Sequence, residues 1–229
     1  MMSTVTARTL IWTPVPTAQL QLRLHRAGRG PALLIPVESG TVALPVSATP
    51  FSHVFSVARG CQRIGGRAFV VRWNDSALVG HPVFERTATG WGWGEHAEVY
   101  RLVEQTNPRG LIGATVLRCV FTLNRNRRED PARQRRVAPR FAEAFGCGEE
   151  QMLERVGDWR LGGPAALTGL LEAAGRADVA RVARLIDGGH ADSWVGRLPA
   201  RRLGRGAVRS GPLAAMLPVV PVIQGSSTV

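Results

Sequence analysis

The chain has 229 residues, of which 45% are apolar, and this is enough for one large domain or two small ones that fold by themselves. All 29 basic residues are arginine, and with 17 acidic residues they give a net charge of +12. Three widely spaced cysteines without a C-x-x-C pair exclude a disulfide framework and a cysteine-ligated zinc site.

The first half of the chain contains short apolar or alternating runs separated by Gly and Pro, a pattern typical of strands. The runs are ARTLIWTPV, QLQLRLHR, ALLIPV, TVALPV and RAFVVRW. Helical spacing follows in EHAEVYRLVEQ (95–105), and IGATVLRCVFTL (112–123) returns to a strand pattern. Helices between strands predict an α+β fold in which helices cover a sheet.

Helical patterns dominate after residue 123. Asp130 followed by Pro131 predicts a helix start, and Pro139 predicts either an early end with a second short helix or a kink. Further helices are predicted at EEQMLERV, at PAALTGLLEAA and at ADVARVARLID, which ends at Gly188. The pattern divides the chain into a sheet domain (1–123), an arginine-rich helical insertion (124–190) and a glycine-rich C-terminal segment (191–229) that completes the sheet.

The C-terminal segment holds the longest apolar stretch, GPLAAMLPVVPVI (211–223). Two prolines interrupt it and it is too short for a bilayer, so we expect a buried or edge strand and no membrane association. The start of the chain lacks the pattern of a secretory signal, and cysteine usage fits a reducing compartment. We therefore expect a cytoplasmic protein, with no metal and no cofactor.

Positive charge is concentrated in two places. Residues 121–140 carry seven arginines against two acids, and residues 191–229 carry five against Asp192. The block between them, 141–190, is acidic, with eight acids against five arginines. Two basic clusters around an acidic block suit a polyanion held along one face, and a nucleic acid is the expected partner.

The first cluster is the strongest candidate for binding RNA, because guanidinium groups bind phosphate bidentately and stack on bases. Its members are Arg125, Arg127, Arg128, Arg133, Arg135, Arg136 and Arg140. On a helix from Asp130, Arg133, Arg136 and Arg140 follow i, i+3, i+7 spacing while Val137 and Phe141 can face the core. The alternative is a solvated face that forms salt bridges with the acidic block.

The second cluster lies in RRLGRGAVRSG (201–211), where glycines allow close backbone approach to phosphate. Its arginines are Arg201, Arg202, Arg205 and Arg209. The alternative is a flexible surface loop.

Two tryptophans alternate with glycines in TGWGWGEHAEV (89–99). An extended chain projects Trp91 and Trp93 from the same side, where they could stack on bases. For these two tryptophans, covering the core is the alternative.

Strict alternation in QLQLRLHR predicts a strand with leucines on one side and Arg23 and His25 together on an open sheet face. A phosphate binder beside a group that titrates near neutrality suits general acid–base cleavage of RNA. Arg23 and His25 are therefore the candidate catalytic residues. An ordinary solvent-facing strand is the alternative.

The arginine segment, the glycine-rich loop and the strand with Arg23 and His25 together resemble the CRISPR repeat-RNA processing endoribonucleases, including their type IV branch with its helical insertion. The resemblance implies a ferredoxin-like or RRM-like antiparallel sheet and an arginine-rich helix in the groove of a repeat hairpin. It also implies metal-independent cleavage, in which His25 acts as general acid or base and Arg23 stabilises the phosphate. The processed RNA would stay bound, with other subunits of a ribonucleoprotein complex as further partners.

Two other classes of function stay open. Residues 166–194 resemble the helix pair of an ankyrin repeat, which would make the protein an interaction module, although no second copy appears at the expected period of about 33 residues. A basic structural protein that binds nucleic acid without cutting it is the third possibility.

Overall fold

A computed structural model describes residues 7–26, 32–45, 51–83, 90–104, 128–188 and 208–209. The described strands are β1 Arg8–Thr13, β2 Ala32–Val37, β3 Gly40–Pro45, β4 Ala68–Trp73, β5 Leu78–Val83, β6 Trp91–Trp93 and β7 Val208–Arg209. The described helices are α1 Thr17–Arg26, α2 Phe51–Gly65, α3 His96–Glu104, α4 Pro131–Phe145, α5 Glu149–Gly157, α6 Gly163–Ala173 and α7 Ala177–Asp187.

The strands form one sheet in the order β6-β5-β4-β1-β3-β2-β7. All neighbours pair antiparallel except β7, which runs parallel to β2. Elements β1 to β4 follow the order β-α-β-β-α-β, and their strands lie in the order β4-β1-β3-β2. This is the ferredoxin-like arrangement, so the predicted α+β fold class is confirmed.

Alternating side chains give the sheet two apolar faces, and helices cover both. Helices α1 and α2 pack on the face that carries Ile11, Leu34 and Val70. Helices α4 to α7 pack on the other face, with which they share one continuous core. No described part of the sheet therefore presents the open face on which Arg23 and His25 were expected.

Four aromatic rings fill the centre of the larger core. Phe69 of β4 lies 5.2 Å from Phe141 and 4.1 Å from Phe145 between ring centroids, and Trp12 of β1 lies 5.8 Å from Phe145. Phe141 and Phe145 are one helical turn apart, so both reach the sheet from the same side of α4. The burial of this side explains why α4 lies flat against β4 and β5.

Two carboxylates attach α7 to the sheet. The backbone N–H of Ser39, in the β2–β3 turn, donates to Oδ2 of buried Asp178 at 2.7 Å. At the other end of the helix, Nε1 of Trp73 donates to Oδ1 of Asp187 at 2.7 Å. Because each bond satisfies a polar group that packing removes from water, the two bonds fix α7 in position and direction.

The residues QLQLRLHR form helix α1 rather than the predicted strand. Leu20 and Leu24, at i and i+4, are fully buried, while Leu22 between them is 50% exposed. Every second residue is a leucine, so the run satisfies both the strand period and one helical stripe, and sequence alone does not choose between them. Packing of α1 against α2 and β2 decides in favour of the helix.

Pro139 lies inside α4 without ending it, so the expectation of two short helices is wrong. A proline in a helix interior costs about 3 kcal/mol, and tertiary packing offsets this cost. The helix buries Val137, Ala138, Phe141 and Phe145 along one side, and these contacts extend on both sides of the proline.

The other strands and helices predicted within the described residues are present. The predicted strand at 112–123 and the apolar stretch at 211–223 lie outside those residues.

Candidate functional site

Helix α4 carries a row of arginines on the side that faces away from the sheet. Arg135, Arg136 and Arg140 are exposed and Arg133 is partly exposed. At 100° per residue, Arg133, Arg136 and Arg140 lie within an arc of about 60°, and Arg135 lies on the opposite flank of the exposed side. We call these four residues the α4 arginine surface. The structure thus brings together four of the predicted RNA-binding residues.

Local sequence explains why the helix begins where it does. Asp130 has an extended conformation and its Oδ1 accepts a hydrogen bond from the backbone N–H of Ala132 at 2.9 Å, as an N-cap residue does. Pro131 follows in the first turn, where its missing N–H is not needed. The cap places the arginines within the first two and a half turns of α4.

This arrangement disfavours the helix electrostatically. Arg133 lies in the first turn, where a cation opposes the helix dipole, and the like-charged pair Arg136 and Arg140 at i, i+4 costs about 0.2–0.5 kcal/mol. Within the described residues, no carboxylate forms a salt bridge with Arg135 or Arg136. Glu154 and Asp158 of the acidic block pair instead with Arg155. The alternative of an arginine face neutralised by that block does not hold for Arg135 and Arg136.

Arg128 has a structural role, contrary to its predicted role in RNA binding. Its side chain is buried, and Nη1 donates to the carbonyl oxygens of Gly92 at 3.2 Å and Gly94 at 3.0 Å. Burial lowers the pKa of Arg128, and the charge of Glu129 opposes that shift. Because Nη1 serves both carbonyls, Arg128 connects β6 to the start of α4.

A cleft of about 710 Å³ lies beside Arg128, between the start of α3 and the loop that joins α5 to α6. Its lining comprises Gly94, Glu95, His96, Ala97, Arg128, Glu129, Trp159 and Arg160. The first backbone N–H groups of α3 have no acceptor within the helix, because an α-helix leaves its first four donors unpaired. The cleft therefore combines hydrogen-bond donors, an aromatic ring and two guanidinium groups.

Trp159 lines this cleft and packs, partly buried, against the larger core; sequence reasoning did not select it or Arg160. The guanidinium carbons of Arg128 and Arg160 lie 4.7 Å and 4.5 Å from the centroid of the indole ring. Such contacts contribute about 0.5–1 kcal/mol at exposed sites. The available signal was a tryptophan between charged residues in DWR, at the end of a helical pattern, where no apolar period requires it.

Trp91 and Trp93 belong to the core, so their prediction as base-stacking residues is wrong. Both are 2% exposed, and both point to the face covered by α4 to α7. Trp93 Nε1 donates to the carbonyl oxygen of Arg155 at 2.7 Å, and its ring meets Phe141 edge-on at 5.6 Å. The extended backbone was predicted correctly, but the side from which both indole rings project faces the interior of the protein.

Arg23 and His25 do not form a site. Both are exposed on α1, and residues two positions apart on a helix point in directions about 160° apart. With Arg26 they occupy the last turn, where positive charge complements the helix dipole. The prediction that they lie side by side on an open sheet face is therefore wrong, because this run of residues is a helix and not a strand.

Five of the other predicted RNA-binding arginines lie outside the described residues: Arg125, Arg127, Arg201, Arg202 and Arg205. The backbone of Arg209 is described in β7, where it pairs with Leu33. Four strand steps separate β7 from β4, on which α4 packs, which is about 19 Å across the sheet. The backbone of Arg209 is thus separated by several strands from the strand on which α4 packs.

Other chemistry-bearing groups in the described part of the chain suggest no second reactive centre. Burial raises the pKa of the Cys61 thiol to about 12 and also raises that of Cys147, so neither thiol is activated. Among the described residues, no three His, Cys, Asp or Glu side chains lie close enough to share a metal ion. No described helix has the length and apolarity needed to cross a membrane.

No protein family matches this chain, and neither a curated protein nor a solved structure is significantly similar to it. The residues themselves, above all the α4 arginine surface, are therefore the basis for inferring a function.

Proposed function

We propose that the protein binds RNA through the α4 arginine surface, and that it does so without cleaving it. One observation carries the proposal: the exposed side of α4 presents four arginines, of which Arg135 and Arg136 have no carboxylate partner in the described structure. Phosphates would provide partners for Arg135 and Arg136, and a net charge of +12 favours the approach of a polyanion.

The helix geometry suits a polyanion better than a small anion. Arg133 and Arg140 are seven residues apart, so their Cα atoms are separated by about 10.5 Å along the helix axis. Successive phosphates of one strand can contact such a row, whereas a single phosphate cannot. A guanidinium group also stacks on bases, so the surface accommodates single-stranded RNA as well as a hairpin.

We propose binding without cleavage because the described residues provide no acid–base pair on the α4 arginine surface. The catalytic residues predicted on α1 point in different directions, and α1 covers the sheet face opposite α4. Repeat-RNA processing therefore has no described catalytic residues, and RNA retention is the part of the predicted function that the arginines support.

The test is salt-dependent binding of a labelled single-stranded RNA by the double variant Arg135→Ala/Arg136→Ala. If both arginines contact phosphate, the slope of log K against log salt becomes shallower by about 1.4, at about 0.7 per contact. The matched control is Arg59→Ala/Arg63→Ala on α2, which removes the same charge from exposed helical positions on the other side of the sheet. Equal slopes for the two double variants would contradict the proposal.

A second candidate function, a protein-interaction module, is favoured by the helical block. Helices α4 and α5 form one pair and α6 and α7 another, and α5 packs on α6. Each pair turns through a left-handed glycine, Gly146 with φ 70° and Gly175 with φ 67°. Stacked pairs of this kind are used for protein recognition.

The apolar sides of both pairs are, however, already buried on the sheet of this protein. Among the described residues, the large apolar side chains classed as exposed are Leu22 and Leu161, which belong to α1 and to the α5–α6 loop. The helical block thus presents no described apolar patch to a partner. If the purified protein binds no RNA at low salt, the interaction module becomes the better explanation.

A further inference from the structure

The cleft around Trp159 has the composition of a nucleotide site rather than of a general phosphate surface. Its volume of about 710 Å³ lies within the range of small-molecule pockets. Its aromatic ring suits a base, and the Arg160 guanidinium together with backbone donors suits a phosphate. The cleft begins immediately before α4, because Arg128 and Glu129 form part of its wall.

The Arg160 guanidinium, which covers the outer face of the Trp159 ring, is weakly held there. Arg160 has a side chain that is 75% exposed, and its ion pair with Glu129 is 3.6 Å long with a carboxylate that is 62% exposed. Arg128, in contrast, is held by two carbonyl oxygens and stays in place. A base can therefore replace the Arg160 guanidinium on Trp159 while Arg160 turns to a phosphate.

Charge alone does not attract an anion into this cleft. Glu95 and Glu129 lie on the same rim as the two arginines and balance them. Phosphate recognition must then come from directed donors, namely the Arg160 guanidinium and the N–H groups that begin α3. The affinity contributed by this cleft should consequently depend less on salt than binding along the α4 arginine surface does.

We infer that this cleft binds a nucleoside 5′-monophosphate, either as the 5′ end of an RNA or as the free nucleotide. The base stacks on Trp159, and the phosphate accepts hydrogen bonds from Arg160 and from the start of α3. In its RNA form the inference rests on the RNA binding proposed above, since the cleft adjoins the first turn of α4. It adds a preference for one end of the strand, which the arginine row by itself does not provide.

The experiment compares two unstructured oligoribonucleotides of the same sequence, labelled at the 3′ end, one with a 5′-phosphate and one with a 5′-hydroxyl. We expect the intact protein to bind the phosphorylated strand about tenfold more tightly, the effect of one charge-assisted contact. The ratio should persist at moderate salt, while both affinities fall. Arg160→Ala should bring the ratio to about one.

The controls separate this inference from the proposed function. Arg181→Ala removes an arginine paired with Glu38 at a distant place and should leave the ratio unchanged. Arg135→Ala/Arg136→Ala should weaken both strands alike. A ratio of one in the intact protein overturns the inference and leaves RNA binding standing, whereas loss of salt-sensitive binding to both strands overturns the proposed function.

Adenosine 5′-monophosphate, titrated by calorimetry, distinguishes the two sources of the ligand. Binding that disappears in Arg160→Ala shows that the nucleotide itself suffices, and it tests the cleft even if RNA does not bind. If only the phosphorylated strand binds, the 5′ end of RNA is the ligand. A ratio that survives Arg160→Ala, in a variant whose thermal unfolding is unchanged, places the recognition elsewhere and overturns the inference.

Discussion

The backbone N–H of Gly94 donates a hydrogen bond to the carbonyl oxygen of Trp159 at 2.7 Å. This bond joins the segment before α3 to the α5–α6 loop, so it holds together the two walls of the cleft. The β4–β5 turn packs against both of these segments, next to Gly94 and Gly162. The carbonyl oxygen of Ser76 lies 2.5 Å from where a Cβ of Gly94 would stand and 2.0 Å from that of Gly162. Side chains are excluded here because three backbone segments touch.

Gly163 provides a test of this close approach, with Gly175 as a control of almost the same backbone angle. Gly163 has φ +68° and a Cβ there would lie 2.4 Å from the carbonyl oxygen of Asp75, while Gly175 has φ +67° and open space. Gly175→Ala should cost only the left-handed penalty of about 1–2 kcal/mol. Gly163→Ala should lower the free energy of unfolding by at least about 2 kcal/mol more, measured with urea. Equal costs would show that the three segments separate readily.

Replacement of Arg128 separates a structural arginine from a binding one. Arg128→Ala leaves the carbonyl oxygens of Gly92 and Gly94 without their donor, and we expect a loss of about 2–3 kcal/mol in unfolding free energy. Arg135→Ala, on the exposed side of α4, should change stability by less than about 0.5 kcal/mol. Chemical denaturation of both variants checks the difference. A stable Arg128→Ala protein with weakened RNA binding would reverse the assignment.

His81 should make stability depend on pH. Its Nδ1 is buried, and desolvation lowers the pKa of His81 from 6.5 to about 4. Below pH 6.5 the unfolded chain takes up a proton that the folded chain does not accept until pH 4, so stability is lost as pH falls through this window. The loss should reach up to about 3 kcal/mol.

The measurement is the unfolding free energy at several pH values for the intact protein and for His81→Asn. Groups other than His81 titrate in both proteins, so the difference between the two curves reports this residue. We expect the decline between pH 6.5 and 4 to be clearly shallower in the variant. Parallel curves would show that protonation of His81 is not suppressed by folding.

Arg23→Ala/His25→Ala tests the rejected catalytic pair directly. Because the two side chains leave α1 in directions about 160° apart, we do not expect them to act on one phosphate. RNA incubated with the double variant should therefore give the same products as RNA incubated with the intact protein. Gel electrophoresis and end-group analysis of the RNA check this. Loss of cleavage without loss of folding would restore α1 as a catalytic element.

Sequence reasoning anticipated the α4 arginine surface because capping and periodicity are local properties. Asp130, Pro131 and the spacing of Val137 and Phe141 are legible in the chain, and they specify which side of the helix stays outside. The same reasoning missed Trp159 and Arg160, because the cleft joins segments that are more than sixty residues apart. It also assigned Arg128 to solvent, since its partners Gly92 and Gly94 lie far away in the chain.

By itself, the sequence determined the α+β class, most strand and helix positions, the high positive charge and the arginine row on one helix, all of which depend on neighbours within a few residues. Only the tertiary structure decided that QLQLRLHR is a helix, that α4 continues through Pro139, and that Trp91 and Trp93 are buried. In each of these cases two local conformations or two exposures were possible. The choice between them was made by apolar area buried against elements distant in the chain, a contribution that no local pattern contains.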